Sequence, residues 1–176
     1  MLATYDDESV VVYQAYRPSI GHFAAAHGSF GGDFSTSRMS WVKPNFLWMM
    51  YRSGWGTKEA QEVTLAVRIV RSAFDAILAA AVPSSFDPTR YATRQAWQAA
   101  IDGSEVRLQW DPDHGPSGAS LERRAVQRGL RGSFLARYAR EWIVGIDDIS
   151  AEVARQRENL AHGRELLVPS ERVYPT

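Results

Sequence analysis

The sequence predicts an α+β fold in a single domain, with a mixed, mainly antiparallel sheet and several short helices. Its 176 residues fit one domain, and 45% apolar residues can build a core in a chain of this length. Alternation of apolar and polar residues, as in Val63 to Val70, predicts half-buried strands. Apolar residues at helical spacing, as in Ser72 to Ala81, predict helices between the strands.

The first predicted element is a strand over Val10 to Tyr16. Its valines would face both sides, which is typical of a central strand. Gln14 is polar in this apolar run, so its amide should either bond a neighbouring strand or loop or contact a ligand. Arg17 follows at the strand's end, where strands open onto loops that carry function. Pro18 then begins a short helix that ends at His27.

The stretch from Phe34 to Trp55 combines three tryptophans, several hydroxyl residues and a cluster of cations. In Phe34 to Met39, large residues alternate with small hydroxyl residues, as they do at the end of a strand. A buried helix should begin near Lys43 to Asn45, because Pro44 suits a first helical turn, and Gly54 should end it. The hydroxyl and cationic side chains that make this stretch a candidate site are Ser35, Thr36, Ser37, Ser40, Arg38, Lys43 and Arg52.

The remaining elements follow from the same patterns. We predict strands over 63–70, 105–110, 124–130 and 141–146, and helices over 72–81, 93–101, 133–140 and 151–162. Asp111 to Ser120, with two prolines and two glycines, predicts a loop. The domain therefore spans residues 1–162, and 163–176 forms a proline-punctuated C-terminal tail.

Composition narrows the function classes. Twenty basic and twenty acidic residues cancel, so no global field draws the chain to nucleic acid or an anionic membrane. The absence of cysteine excludes disulfides, thiolate metal sites and cysteine nucleophiles, and fits a reducing compartment. The N-terminus is acidic, whereas a secretory signal begins with basic residues followed by an apolar segment. This predicts no export and no membrane association. We therefore expect a cytoplasmic protein.

Two patterns that suggest metal ions do not match metal-site spacing. His22 and His27 are five residues apart, whereas a helical pair needs four. Asp111, Asp113 and His114 lie in a segment whose prolines indicate a turn. We predict no metal site.

Residues 122–140 contain six arginines and one acid, Glu122. Such a block forms either a solvated face or a surface for a phosphate-bearing partner, because guanidinium groups bind phosphate oxygens in pairs. The candidate nucleic-acid contacts are Arg123, Arg124, Arg128, Arg131, Arg137 and Arg140.

The blocks VVYQAY, RMSWVKPNFLWMMYRSGW and QWDP resemble a bacterial and fungal family of unknown function whose members share these segments. The resemblance covers nearly the whole chain. It supplies a family without an activity.

A second resemblance suggests an activity. YAREWIVGIDDIS is similar to the segment of poly-ADP-ribose polymerases and related ADP-ribosyltransferases in which a glutamate opens a strand, here Glu141. Phe34 to Ser37 resembles their aromatic–Ser–Thr–Ser motif, and Arg17 resembles the arginine that holds the NAD pyrophosphate. Ala139 departs from the protein-arginine modifiers, which carry Glu or Gln there, and no equivalent of the polymerases' histidine and tyrosine is evident unless Tyr13 or Tyr16 substitutes.

This resemblance implies a split sheet like that of the ADP-ribosyltransferases, NAD as substrate and a nucleic-acid or protein acceptor. Its implied catalytic residues are Glu141, Ser35 and Ser37. The implied NAD contacts are Arg17, Tyr13, Gln14, Tyr16, Thr36, Arg38, Trp41 and Lys43.

Three hypotheses for function remain open from the sequence. The first is an NAD-dependent ADP-ribosyltransferase, and the second is a non-catalytic nucleic-acid-binding module that uses the arginine block. The third is a metal-dependent phosphoester hydrolase centred on Gln109, Asp111 and Arg38. Glu141 has a simpler alternative as the ion-pair partner of Arg137 or Arg140. The sequence does not determine the oligomeric state or the acceptor.

Overall fold

The structure, a computed structural model, describes residues 1–175. Its strands are β1 (Leu2–Ala3), β2 (Ser9–Tyr16), β3 (Ser40–Val42), β4 (Val63–Val70), β5 (Val82–Pro83), β6 (Val106–His114), β7 (Ser120–Leu130), β8 (Ile143–Asp148) and β9 (Arg172–Val173). Its helices are α1 (Pro18–His27), α2 (Phe46–Ser53), α3 (Arg71–Ala80), α4 (Arg94–Gly103), α5 (Gly132–Arg140) and α6 (Ser150–Ala161).

The strands form three sheets, with the orders β2-β4-β8, β3-β7-β6-β5 and β1-β9. Every pairing is antiparallel except that of β5 with β6, among the residues described. The predicted α+β fold with mixed, mainly antiparallel strands is therefore confirmed. None of the helices in residues 1–175 has the length and apolar character needed to cross a membrane.

β2 lies at the edge of its sheet, not at the centre as its valines suggested, because β4 occupies the middle position. Both faces of β2 are nevertheless buried. Val10 and Val12 face the main core with α3 and α5, while Val11 faces a second cluster with α2 and α6. The free edge of β2 meets β3 through a bridge of two backbone hydrogen bonds between Tyr13 and Lys43, 2.7 and 3.2 Å long. This bridge joins the two larger sheets.

Several predicted boundaries are wrong. The strand predicted over 141–146 is β8, Ile143–Asp148, so Glu141 does not open it. Phe34 to Met39 is a bend-rich loop, and the strand begins only at Ser40. The loop predicted over 111–120 is the β6–β7 hairpin, in which β6 continues to His114. Pro112 fits within β6 because the strand register shifts just after it, and a proline without an N–H is tolerated at such an irregularity.

Helix α2 ends where its sequence predicts, but it begins at Phe46 with Asn45 as its N-cap, so Pro44 lies before the helix and not in its first turn. The Asn45 side chain accepts a hydrogen bond from the Trp48 N–H (2.8 Å), and Gly54 ends the helix with a left-handed φ of 58°. Glu171, from the end of the chain, accepts hydrogen bonds from the Phe46 N–H and the Asn45 amide, both 2.5 Å long. The helix start is thus held by one residue, Glu171, which is 126 positions from Asn45 and 125 from Phe46.

The predicted C-terminal tail is part of the packed domain. β9 pairs with β1, joining Leu2 to Val173. Tyr174 is buried against Phe74 and Tyr5, with its hydroxyl donating to Asp75 (2.6 Å). Residues beyond 162 therefore contribute to the core.

Candidate functional site

A cavity of about 400 Å³ opens at the end of β2, between the start of α1 and the loop that leads into β3. We call it the Arg17 cleft. Its lining residues are Tyr16, Arg17, Ile20, Asp33, Phe34, Ser35, Arg38, Met39, Ser40 and Ala60.

The two arginines of the cleft project from different elements. Arg17 is the residue before α1, makes no capping hydrogen bond with its side chain, and extends its guanidinium to Asp33 (Nη2 to Oδ2, 3.2 Å). Both partners are more than half exposed, at 53% and 57%, so water screens the pair and a ligand can compete with it. Arg38 is exposed and has no ion-pair partner within residues 1–175. The cleft therefore offers guanidinium groups to an anionic ligand.

The loop that carries Ser35, Thr36 and Ser37, which we call the serine loop, is held in place by aromatic packing. Phe34 lies 4.6 Å from Phe30 and 5.9 Å from Tyr16, measured between ring centroids. Just beyond this anchor, the hydroxyls of Ser35 and Ser37 are 2.9 Å apart and both side chains are exposed. Thr36 is exposed on the same loop. Only Ser35 of these three lines the cleft.

A buried hydrogen-bond network forms the floor of the cleft. The Gln14 amide donates to the hydroxyls of Tyr16 (2.7 Å) and Ser40 (2.9 Å), and its carbonyl oxygen accepts from the Tyr138 hydroxyl (2.6 Å). Burial raises the pKa of both tyrosines above the usual range, so they stay protonated. Gln14 thus bonds its neighbours, as one of its two interpretations predicted, and positions Tyr16 and Ser40 at the cleft.

Three of the proposed NAD contacts lie away from the cleft. Tyr13 is buried against Phe46, with ring centroids 5.4 Å apart. Trp41 lies over Gly129 of β7, so closely that a Cβ on that glycine would come within 3.0 Å of the indole. Lys43, one residue past β3, is 7% exposed. None of the three lines the Arg17 cleft.

Lys43 has an unusual environment. Burial and, to a smaller extent, the nearby Arg52 together lower the pKa of its ammonium to about 8, while Asp111 acts in the opposite direction. Asp111 itself accepts hydrogen bonds from Gln109 (2.8 Å) and Gln127 (3.0 Å). The hydrolase hypothesis placed Arg38 with this group, but Arg38 lines the Arg17 cleft, and neither Gln109 nor Asp111 does.

The structure does not bring Glu141 to the Arg17 cleft. Glu141 follows α5 and pairs with Arg137 (3.3 Å), with its side chain 64% exposed. The next residue, Trp142, accepts a hydrogen bond from Val70 at the far end of β4, whereas Tyr16 pairs with Val63 at the near end. These ends are about 20 Å apart at about 3.3 Å per residue. Glu141 therefore fits the simpler alternative, in which it is the ion-pair partner of Arg137.

The six arginines of residues 122–140 lie in different environments. Arg128 is buried at 6% exposure, and Arg140 is exposed on α5. The others each have a partner: Arg123 bonds Asp113, Arg124 bonds the Trp110 carbonyl oxygen, Arg131 bonds the carbonyl oxygens of Ser104 and Asp102, and Arg137 bonds Glu141.

Four residues of the cleft were not among the predicted site residues: Ile20, Asp33, Met39 and Ala60. Asp33 follows two glycines and precedes the serine loop, and a carboxylate at that position in a glycine-rich loop was a usable signal. Ala60 lines the cleft with a positive φ of 62°, and an alanine gives no sign of such a conformation in the sequence.

Comparison with protein families gives one match along nearly the whole chain. The model of a family described as "Domain of unknown function (DUF4291)" matches residues 1–174. No curated protein matches the chain.

Proposed function

Since the chain belongs to the DUF4291 family, a domain family of unknown function as its sequence blocks predicted, we propose a function from the cleft itself: binding of NAD and transfer of its ADP-ribose to an acceptor. The observation that supports this proposal is that Arg17, at the end of β2, lines one cleft with Ser35 and Arg38 of the loop before β3.

The cleft has the groups that a dinucleotide requires. Two guanidinium groups suit the two phosphates, which carry negative charge and accept paired hydrogen bonds. Tyr16 and Phe34 provide an aromatic wall for a planar ring. The cavity of about 400 Å³ lies in the range of small-molecule sites, which is roughly 300–1,000 Å³.

The transfer needs a carboxylate near the ribose. The bond between the nicotinamide nitrogen and C1′ breaks, its electron pair leaves with nicotinamide, and C1′ gains positive character that a carboxylate stabilises. The acceptor's nucleophile then bonds C1′ and releases its proton. We assign the carboxylate role to Asp33, because it lines the cleft and Glu141 does not.

Incubation with NAD labelled in its adenine ring tests binding and transfer separately. We expect Arg17→Ala to weaken NAD binding at least tenfold, because one charge-assisted phosphate contact contributes about 1.5–3 kcal/mol. Asp33→Asn should abolish nicotinamide release and transfer of label. Glu141→Gln, the matched control carboxylate, should leave both unchanged.

Full turnover by Asp33→Asn would contradict the role of Asp33, and loss of turnover in Glu141→Gln would restore Glu141. Absence of NAD binding by the wild-type protein would overturn the proposal. Protein, DNA and RNA should each be offered as acceptors. We place this activity in the cytoplasm, since a chain without cysteine suits a reducing compartment.

A further inference from the structure

A second cavity of about 400 Å³ lies where β6 is left open by the short strand β5. We call it the Trp110 pocket. One wall is the loop of residues 83–88 with Arg90, and the other is Leu108 to Trp110 of β6 with Arg124 of β7. No residue lines both this pocket and the Arg17 cleft.

The pocket presents aromatic surface to solvent. The Trp110 side chain is 44% exposed, although indoles are usually among the better-buried side chains. Phe86 stands on the opposite wall and is held by two neighbours, the guanidinium of Arg94, 4.8 Å from the ring centroid, and the ring of Trp97, 6.2 Å away. Ordered aromatic faces of this kind are platforms on which nucleic-acid bases stack.

Positive charge is concentrated at the same place. Arg90 and Arg124 are exposed at the rim, and Arg124 is fixed by a 2.8 Å hydrogen bond to the Trp110 carbonyl oxygen. Asp87 is the one carboxylate lining the pocket, and it lies 3.8 Å from Arg90. The arginines therefore outnumber the acids.

Arg128 adds a further charge behind the pocket. It pairs in register with Leu108, a lining residue, and is 6% exposed. Its Nε and Nη1 atoms are buried without a hydrogen-bond partner among residues 1–175. Burial and, to a smaller extent, the charge of Arg90 together lower the pKa of Arg128 to about 10, which indicates that the two guanidinium groups repel each other. A phosphate bound at Arg90 would relieve this repulsion.

We propose that the Trp110 pocket binds one nucleotide of a single-stranded nucleic acid, with the base stacked on Trp110 and the adjoining phosphate on Arg90 and Arg124. A pocket open at a sheet edge lets the strand enter and leave, which an enclosed mononucleotide site would not require. Of the arginine block, only Arg124 lines the pocket, and Arg128 lies buried behind it.

Fluorescence anisotropy with a labelled ten-nucleotide oligothymidine, and with its RNA counterpart in parallel, tests the pocket. Trp110→Ala should raise Kd by about fivefold to a hundredfold, as expected for one lost stacking contact. Trp110→Phe, which keeps a ring, should recover most of the affinity. Arg124→Ala should weaken binding and reduce the slope of log K against log salt by about 0.7, the value for one phosphate contact on a single strand.

Arg140→Ala is the matched control, because Arg140 is an exposed arginine of the same block outside the pocket. It should leave Kd unchanged. The proposal is overturned if the wild type does not bind either oligonucleotide, if folded Trp110→Ala binds as the wild type does, or if Arg140→Ala weakens binding as much as Arg124→Ala. Equal affinity for thymidine monophosphate would also overturn it in favour of a free-nucleotide site. These measurements contain no NAD, so their outcome is separate from that of the transferase test.

Discussion

At the residue scale, Lys43 shows how backbone pairing can place a charged side chain in the interior. Its N–H and C=O both pair with Tyr13 across the join between two sheets, so the position of its side chain is set by the sheet rather than by solvent. Its ammonium is buried with another cation nearby. Such a charge reduces stability unless a ligand or partner compensates it.

Lys43→Met should therefore raise the free energy of unfolding at pH 7 by about 1–3 kcal/mol. The wild-type pKa of about 8 lies below the ordinary 10.5, so the unfolded state binds more protons between these values and wild-type stability should rise with pH through this window. The variant should lack this rise. Urea unfolding at pH 7, 8.5 and 10 measures it, and parallel pH profiles for the two proteins would contradict it.

The site could be predicted residue by residue only in part. Arg17 was found from its place at a strand end, and Ser35 from a motif, because both signals are local. The positions of Glu141 and Trp41 depend on strand register and on packing between distant segments, which a short motif does not encode. Asp33 was not predicted because it belongs to none of the sequence motifs from which the site residues were chosen.

At the element scale, helix α2 depends on a carboxylate from the other end of the chain. Glu171 accepts two hydrogen bonds at the helix start, yet burial raises its pKa to about 7, with the negative Asp113 adding to the rise and the hydrogen bonds opposing it. The protonated form is thus favoured in the folded protein. The helix start is therefore sensitive to pH in a range where most carboxyl groups are already ionised.

We expect the contribution of Glu171 to stability to be complete below pH 4.5 and to decrease as the pH rises to about 7, because the folded pKa exceeds the ordinary one. Glu171→Gln should remove this dependence, so the difference between the two proteins should change by about 1–3 kcal/mol across the window. Chemical unfolding at pH 4.5, 6 and 7.5 provides the measurement. A constant difference would show that Glu171 does not titrate there.

Helices and strands differed in how far their sequences determined them. The start of α1 and the end of α2 were predicted closely because Pro18 and Gly54 mark them locally, whereas Pro44 lies just before α2 and not in its first turn. The β6–β7 hairpin was taken for a loop because Pro112 and Pro116 usually break strands. Because β6 pairs with β7 over most of its length, it remains a strand despite the local preference of proline for a turn.

At the scale of the whole molecule, the segment after residue 162 completes the fold. It supplies β9, the buried Tyr174 and the Glu171 contact with α2. The sequence suggested a tail because the segment is short, polar and contains prolines. Its partners are at the opposite end of the chain, where no local pattern reveals them.

Removal of residues 163–176 should therefore lower the free energy of unfolding by at least about 3–5 kcal/mol, the scale of losing one large buried aromatic residue. The comparison is a chain that ends at Tyr174, which keeps these contacts and should unfold at nearly the wild-type temperature. Calorimetry of both proteins decides the matter. Equal midpoints of thermal unfolding for the wild type and for the chain that lacks residues 163–176 would refute the role of the C-terminal segment.

The pairing of β1 with β9 means that these two strands lie side by side, with Leu2 opposite Val173. A peptide of a few glycines and serines could therefore join them into a circular backbone without disturbing the fold. Such closure removes conformations mainly from the denatured chain, so the ring should melt at a higher temperature than the linear form. New ends could then be opened at an exposed surface turn, giving a permuted protein with the same core.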